Sequence, residues 1–157
     1  MPVYDGEFRT RTGQPDRGGL HRVGPVLPVE IAVPSALSRF LSAQNQQIPA
    51  PMTGLALIDT GATRSCVDSQ VISNLGVNPI GITTLGTARG RSQHHLYPAK
   101  FTFPAIRFEI EFGSVVGVDL SGQGAGNMQI IALIGRDVLS RCILIYHGIK
   151  GSFSLAL

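Results

Sequence analysis

Apolar and polar positions along the chain alternate in short runs. Val26 to Val33 reads as a strand, which Pro28 confines to a sheet edge or a strand start. Pro34 and Ser35 open a short helix with Leu37, Phe40 and Leu41 on one face. Gln44 to Pro51 is a loop, Thr53 to Ile58 a buried strand that stops at Asp59, and Asp68 to Leu75 a helix N-capped by Asp68 and ended by Gly76. Ile82 to Phe103 forms two β segments around Gly86 to Gly90, a long hairpin. Ile106 to Val118 reads as a strand pair broken near Gly113. Ser121 to Asn127 is a glycine-rich turn, Gln129 to Ile134 a second buried strand, and Asp137 to Arg141 one helical turn. Ile143 to Tyr146 and Ser152 to Leu157 close the chain as a hairpin around His147 to Gly151. Residues 1–24 show no hydrophobic period and read as a polar arm or linker, with the domain spanning 25–157.

One stretch repeats. Ala56, Leu57, Ile58 and Cys66 recur 76 residues later as Ala132, Leu133, Ile134 and Cys142. Each block is a buried strand, a polar turn and a helix start. They differ at one telling position: the first strand ends in Asp59, the second in Gly135.

Composition narrows the class. The 157 residues allow one core, and 19 Gly, 10 Pro and only 15% charged residues favour short strands joined by turns, an all-β fold. No apolar run reaches the ~18 residues of a membrane span, and the first ten residues lack a signal-peptide core, so the expected setting is cytoplasmic, with no membrane partner. Two cysteines are too few for a disulfide scaffold. The net charge of +3 is a mild excess without a basic block, and 6% aromatics offer little for base stacking, so no nucleic-acid partner is expected.

Ala56-Leu57-Ile58-Asp59-Thr60-Gly61-Ala62-Thr63 places a carboxylate where an apolar strand ends, a costly position unless the charge is hydrogen-bonded or used. From 6 Asp, 9 Thr and 19 Gly, a chance Asp-Thr-Gly has an expectation of only about 0.04. Asp59 can hold and deprotonate a water, Thr60 can fix the loop through its hydroxyl, Gly61 permits close approach of a substrate backbone, and Ala62 leaves a cleft open. The plainer alternative is a turn aspartate followed by a turn glycine. His94 and His95 are neighbours on a strand, point to opposite faces and make a poor metal pair, so no metal is expected.

With this motif, the later run Ile131-Ala132-Leu133-Ile134-Gly135-Arg136-Asp137-Val138-Leu139 resembles the retropepsin-like aspartic proteases of bacterial and cellular type, small dimeric relatives of pepsin. The resemblance implies a closed β-barrel with one or two short helices in a two-fold homodimer. It also implies an aspartic endopeptidase, without cofactor, that cleaves extended, largely apolar peptide segments. Asp59, Thr60 and Gly61 would be catalytic. Ala62 and the flap residues Leu85, Gly86, Thr87 and Ala88 would bind substrate, and Ile134, Gly135 and Arg136 would support the site. A single Asp-Thr-Gly means that the second aspartate comes from another copy of the chain. The family pattern also implies that Ser152 to Leu157 builds the dimer sheet. Viral members carry an acid where this chain has Thr63, which leaves Asp137, Asp5 of a neighbouring arm or backbone carbonyls as partners for Arg136. Arg89 and Arg91 share one face of the flap, where the plain reading is ordinary solubility and the sharper one a preference for acidic residues flanking the cleavage site. The competing function is an inactive module that keeps the fold for dimerisation or peptide binding.

Overall fold

A computed structural model describes residues 1–87 and 90–157. In chain order the elements are β1 (Val3–Glu7), α1 (Gly19–Val23), β2 (Val26–Ala32), α2 (Ser35–Ala43), β3 (Met52–Ile58), β4 (Cys66–Asp68), α3 (Ser69–Asn74), β5 (Gly81–Thr87), β6 (Gly90–Phe103), β7 (Phe108–Val118), β8 (Gly124–Ala125), β9 (Met128–Ile134), α4 (Arg136–Leu139), β10 (Ile143–His147) and β11 (Ser152–Ala156). The larger sheet runs β2-β3-β9-β4-β7-β6, and β2 pairs again with β6, so six strands close into a barrel. The fold is all-β, with short helices at its margins.

Alternation along these strands fills the barrel. Val29, Ile31, Ala56, Val67, Phe101, Val115 and Ala132 are all buried in one core. Phe101 and Phe112 meet edge-on, with ring centroids 4.8 Å apart. Pro28 is tolerated because β6 reaches β2 only at Glu30 to Ala32; at Pro28 that side of the strand is an edge and needs no N–H.

The internal repeat acquires a physical meaning. β3 and β9 lie side by side and parallel, with Ala56 opposite Ala132, Leu57 opposite Leu133 and Ile58 opposite Ile134. The two copies are adjacent staves of the barrel, each carrying its chain to the same end.

Four readings of the pattern change. Residues 108–118 form one strand rather than a broken pair; Gly113 is extended within it, and the chain reverses instead at Pro104 to Ile106, with Arg107 in the left-handed region (φ 51°). Phe40 is exposed, so of the three residues read onto one face of α2 Leu37 and Leu41 are part-buried. Residues 1–24 carry β1 and α1: β1 pairs with β11 from Val3 opposite Ala156 to Glu7 opposite Ser152, and Leu20 is fully buried. Pattern reading missed this because the segment's apolar residues, Tyr4, Phe8 and Leu20 among them, follow no period and two of its glycines make the close approaches. A Cβ on Gly6 would sit 2.3 Å from the Phe153 ring, and one on Gly19 would sit 2.3 Å from Phe8.

The fourth concerns the chain end. The predicted closing hairpin forms, His147 facing Ser152, but β11 is the middle strand of a three-stranded sheet ordered β1-β11-β10. Both of its edges are taken within the chain. The open edges of that sheet belong to β1 and β10, with Ile143 and Ile145 exposed on the latter.

Candidate active site

The Asp59 loop begins where β3 leaves the barrel. The Asp59 N–H still donates to the Ile134 carbonyl (2.9 Å), continuing the β3–β9 ladder by one residue. The chain then turns, and Asp59 Oδ1 accepts from the N–H groups of Gly61 (2.9 Å) and Ala62 (3.2 Å). These bonds fix the carboxylate at a definite angle. Oδ2 accepts no hydrogen bond among the described residues. Asp59 is half-buried, while Thr60 and Gly61 are exposed, and the Thr60 hydroxyl makes no hydrogen bond among the described residues.

The loop is tied to the second strand end at several points. Ala62 and Thr63 carbonyls accept the N–H groups of Arg136 (2.9 Å) and Asp137 (3.2 Å). The Arg136 guanidinium donates to the Thr60 carbonyl (3.0 Å) and to Thr63 Oγ1 (2.9 Å). Thr63 is therefore the partner of Arg136, through its hydroxyl, and the backbone carbonyl at Thr60 supplies the rest. Asp137 is engaged elsewhere.

That engagement is a lock that sequence reasoning missed. Ser65 is almost fully buried; its N–H donates to Asp137 Oδ2 (2.9 Å), its hydroxyl donates to Asp137 Oδ1 (2.8 Å), and the same oxygen accepts from the Gly135 N–H (3.1 Å). Every polar atom of the crossing is thereby paired. Gly135 is required by space: a Cβ there would lie 2.6 Å from the Arg64 carbonyl carbon and 2.9 Å from the Ser65 nitrogen. This explains why the two strands end in different residues. Position 59 faces out and can hold a carboxylate, whereas position 135 is pressed against the backbone of residues 64 and 65. A polar pair seventy-two residues apart leaves no local signature; a serine just before the apolar Cys66-Val67 was the only available hint.

A cleft of about 590 Å3 opens beside the loop, between it and the β5–β6 hairpin. Of the predicted binding residues, Ala62, Leu85 and Gly86 line it together. Thr87 lies at the end of β5, opposite Gly90, and Ala88 and Arg89 fall outside the described residues. Arg64, Cys66, Ser92, His94 and Leu133 also line the cleft and were not anticipated there. His94 is hydrogen-bonded on both nitrogens, Nδ1 to the Gly117 carbonyl (3.0 Å) and Nε2 to the Ser92 hydroxyl (2.7 Å), while His95 is exposed. Ile134 is buried beneath the site.

Burial, followed by the carboxylates of Asp137 and Asp59, pushes the Cys66 thiol up to about 11, with Arg64 opposing. Cys66 and Cys142 are both free. Among the described residues no three His, Cys, Asp or Glu side chains gather as a metal site, and no helix is long and apolar enough to cross a membrane.

No family model and no curated protein matches the chain. Solved structures do. The solution structure of the simian foamy virus (mac) protease is 18% identical, covering 74% of this chain and 92% of that one, with a TM-score of 0.42. The crystal structure of a retropepsin-like aspartic protease from Rickettsia conorii is 19% identical, covering 98% of this chain and 92% of that one, with a TM-score of 0.43.

Proposed function

We propose that the chain is one half of an aspartic endopeptidase, completed by a second copy related by a two-fold axis. The observation that carries this reading is the Asp59 carboxylate: it stands at the end of a barrel strand, held through Oδ1 by two backbone N–H groups, with Oδ2 unengaged. That second oxygen is open to a water or a substrate, and Ala62 and Thr63 of the same loop line a cleft large enough for peptide side chains.

One carboxylate cannot act as base and acid in the same step. In the dimer, Asp59 and its mate lie close enough to share one proton, because like charges at that distance do not both ionise. The ionised member takes a proton from water as its oxygen bonds to the peptide carbonyl carbon. The protonated member gives its proton to the carbonyl oxygen. Collapse of the resulting gem-diol breaks the C–N bond, and a proton passes to the leaving amine. Gly61, lacking a side chain, lets the substrate backbone approach, and the Leu85–Gly86 segment of the hairpin covers it.

The test is Asp59→Asn beside wild type, each incubated with an unfolded protein and a peptide library and sedimented at the same concentration. Wild type is expected to cleave and to be blocked by a statine-type transition-state mimic. Asp59→Asn is expected to lose cleavage while remaining dimeric. Cleavage retained in Asp59→Asn refutes the reading; peptide binding without turnover by wild type favours the inactive binding module.

A further inference from the structure

The cleft that the Asp59 loop borders through Ala62 and Thr63 is mostly apolar, with Leu85, Leu133 and Val118 on its walls, yet Arg64 stands among them. Arg64 is half-buried. One of its guanidinium nitrogens is fixed by Ser114, donating to Oγ at 2.8 Å and to the carbonyl at 3.4 Å. No carboxylate of the described residues pairs with it: the ion pairs are Arg9 with Glu7, Arg22 with Asp16 and Lys100 with Glu109. Asp137 is held by Ser65, and Asp59, which keeps Oδ1 on Gly61 and Ala62, forms no ion pair with Arg64 among the described residues. Ser114 therefore orients the guanidinium without neutralising it, and its remaining N–H donors have no partner among the described residues.

We infer that Arg64 is a specificity-determining residue, which selects peptides bearing an aspartate or glutamate beside the scissile bond. The inference rests on the peptidase reading above and names its substrate class. A positioned guanidinium at the wall of an apolar cleft gains most from a carboxylate, which it can bind with paired N–H donors. A basic side chain in the same place meets a like charge in reduced solvent. In a two-fold site the cleft occurs twice, so acidic residues are favoured on either side of the cut at equal distances. The flap cation Arg91 is exposed and does not line the cleft; the selectivity belongs to Arg64.

The experiment is cleavage-site mapping by mass spectrometry on a proteome-derived peptide library, with wild type, Arg64→Lys and Arg64→Glu. Wild-type cut sites are expected to be enriched in Asp or Glu within a few residues of the scissile bond. Arg64→Glu should lose that enrichment, shift towards Lys and Arg, and lower kcat/KM on an acidic peptide about tenfold or more relative to its effect on the same peptide with Gln at that position. Arg64→Lys should retain the acidic preference, a result a merely structural arginine would not give. Wild-type cleavage with no acidic enrichment, or an unchanged profile in Arg64→Glu, overturns the inference and leaves the peptidase reading standing. No cleavage of any peptide by wild type overturns both. Should Arg64→Glu fail to fold, the wild-type profile alone decides.

Discussion

Ser65→Ala tests the lock under the candidate site. The substitution removes one hydroxyl from a nearly inaccessible position, so the cavity is small and the cost is polar. Two hydrogen bonds go: the one donated to Asp137 Oδ1 at 2.8 Å, which is charge-assisted, and the one accepted from the Gly135 N–H at 3.1 Å. The first is worth about 1.5–3 kcal/mol; the second leaves a buried N–H without an acceptor, about 1–3 kcal/mol. Asp137 is exposed and its freed oxygen can be hydrated, which lowers the sum. The expected loss is about 2–4 kcal/mol, or a fall in Tm of about 5–15 °C for a chain of this length. Urea unfolding at one fixed protein concentration measures it, which holds any contribution of self-association constant. A double-mutant cycle with Asp137→Ala separates the lock from general damage, with an expected coupling of about 1–2 kcal/mol. A Ser65→Ala loss below about 0.5 kcal/mol, or strict additivity with Asp137→Ala, refutes the reasoning.

Three further outcomes follow, beside the active-site and specificity tests above. Gly135→Ala pushes a methyl group into the backbone of Arg64 and Ser65 and should destabilise by about 1–3 kcal/mol; a neutral result in thermal unfolding would show that the 62–65 loop yields at no cost. Because Cys66 favours its protonated form up to about 11, iodoacetamide at pH 8 should label Cys142 first and reach Cys66 only in urea. The same raised thiol favours folding below its ordinary 9.0, and that contribution should fade as pH climbs from 9.0 to about 11, which unfolding at pH 8, 10 and 11.5 can follow.

The barrel was legible in the chain because period-two alternation and turn glycines are local signals. Thr53 to Ile58 and Gln129 to Ile134 each show an apolar run ended by a polar turn, and both became barrel strands. The β5–β6 hairpin and the Asp68 cap of α3 were equally local; Asp68 accepts from the N–H groups of Gln70 and Val71 as its position implied. The Asp-Thr-Gly motif marked Asp59 by the same means, an improbable carboxylate at the end of an apolar run. What failed was structure in short segments without a period. β1 was hidden because Gly6 gives Phe153 space and Tyr4 alone packs on that ring, and of short β4 (Cys66–Asp68) only the last residue was read, as the cap of α3.

The sequence by itself determined the strand pattern, the one-core size and the position of Asp59, since each depends on residue type and near-neighbour spacing. Only the tertiary structure decided that the two repeats lie in register as parallel neighbours, that Gly135 is glycine because the Arg64 backbone fills its side-chain space, and that Ser65 and Asp137 bind the two halves of the site together. It also placed Arg64 in the cleft wall, unpaired with any described carboxylate, and sealed both edges of β11. The reason is common to all of these. They depend on contacts between distant parts of the chain, from Arg64 with Ser114 fifty residues on to β1 with β11 at its opposite ends, and such contacts are fixed by how the barrel closes, which no short window of sequence contains.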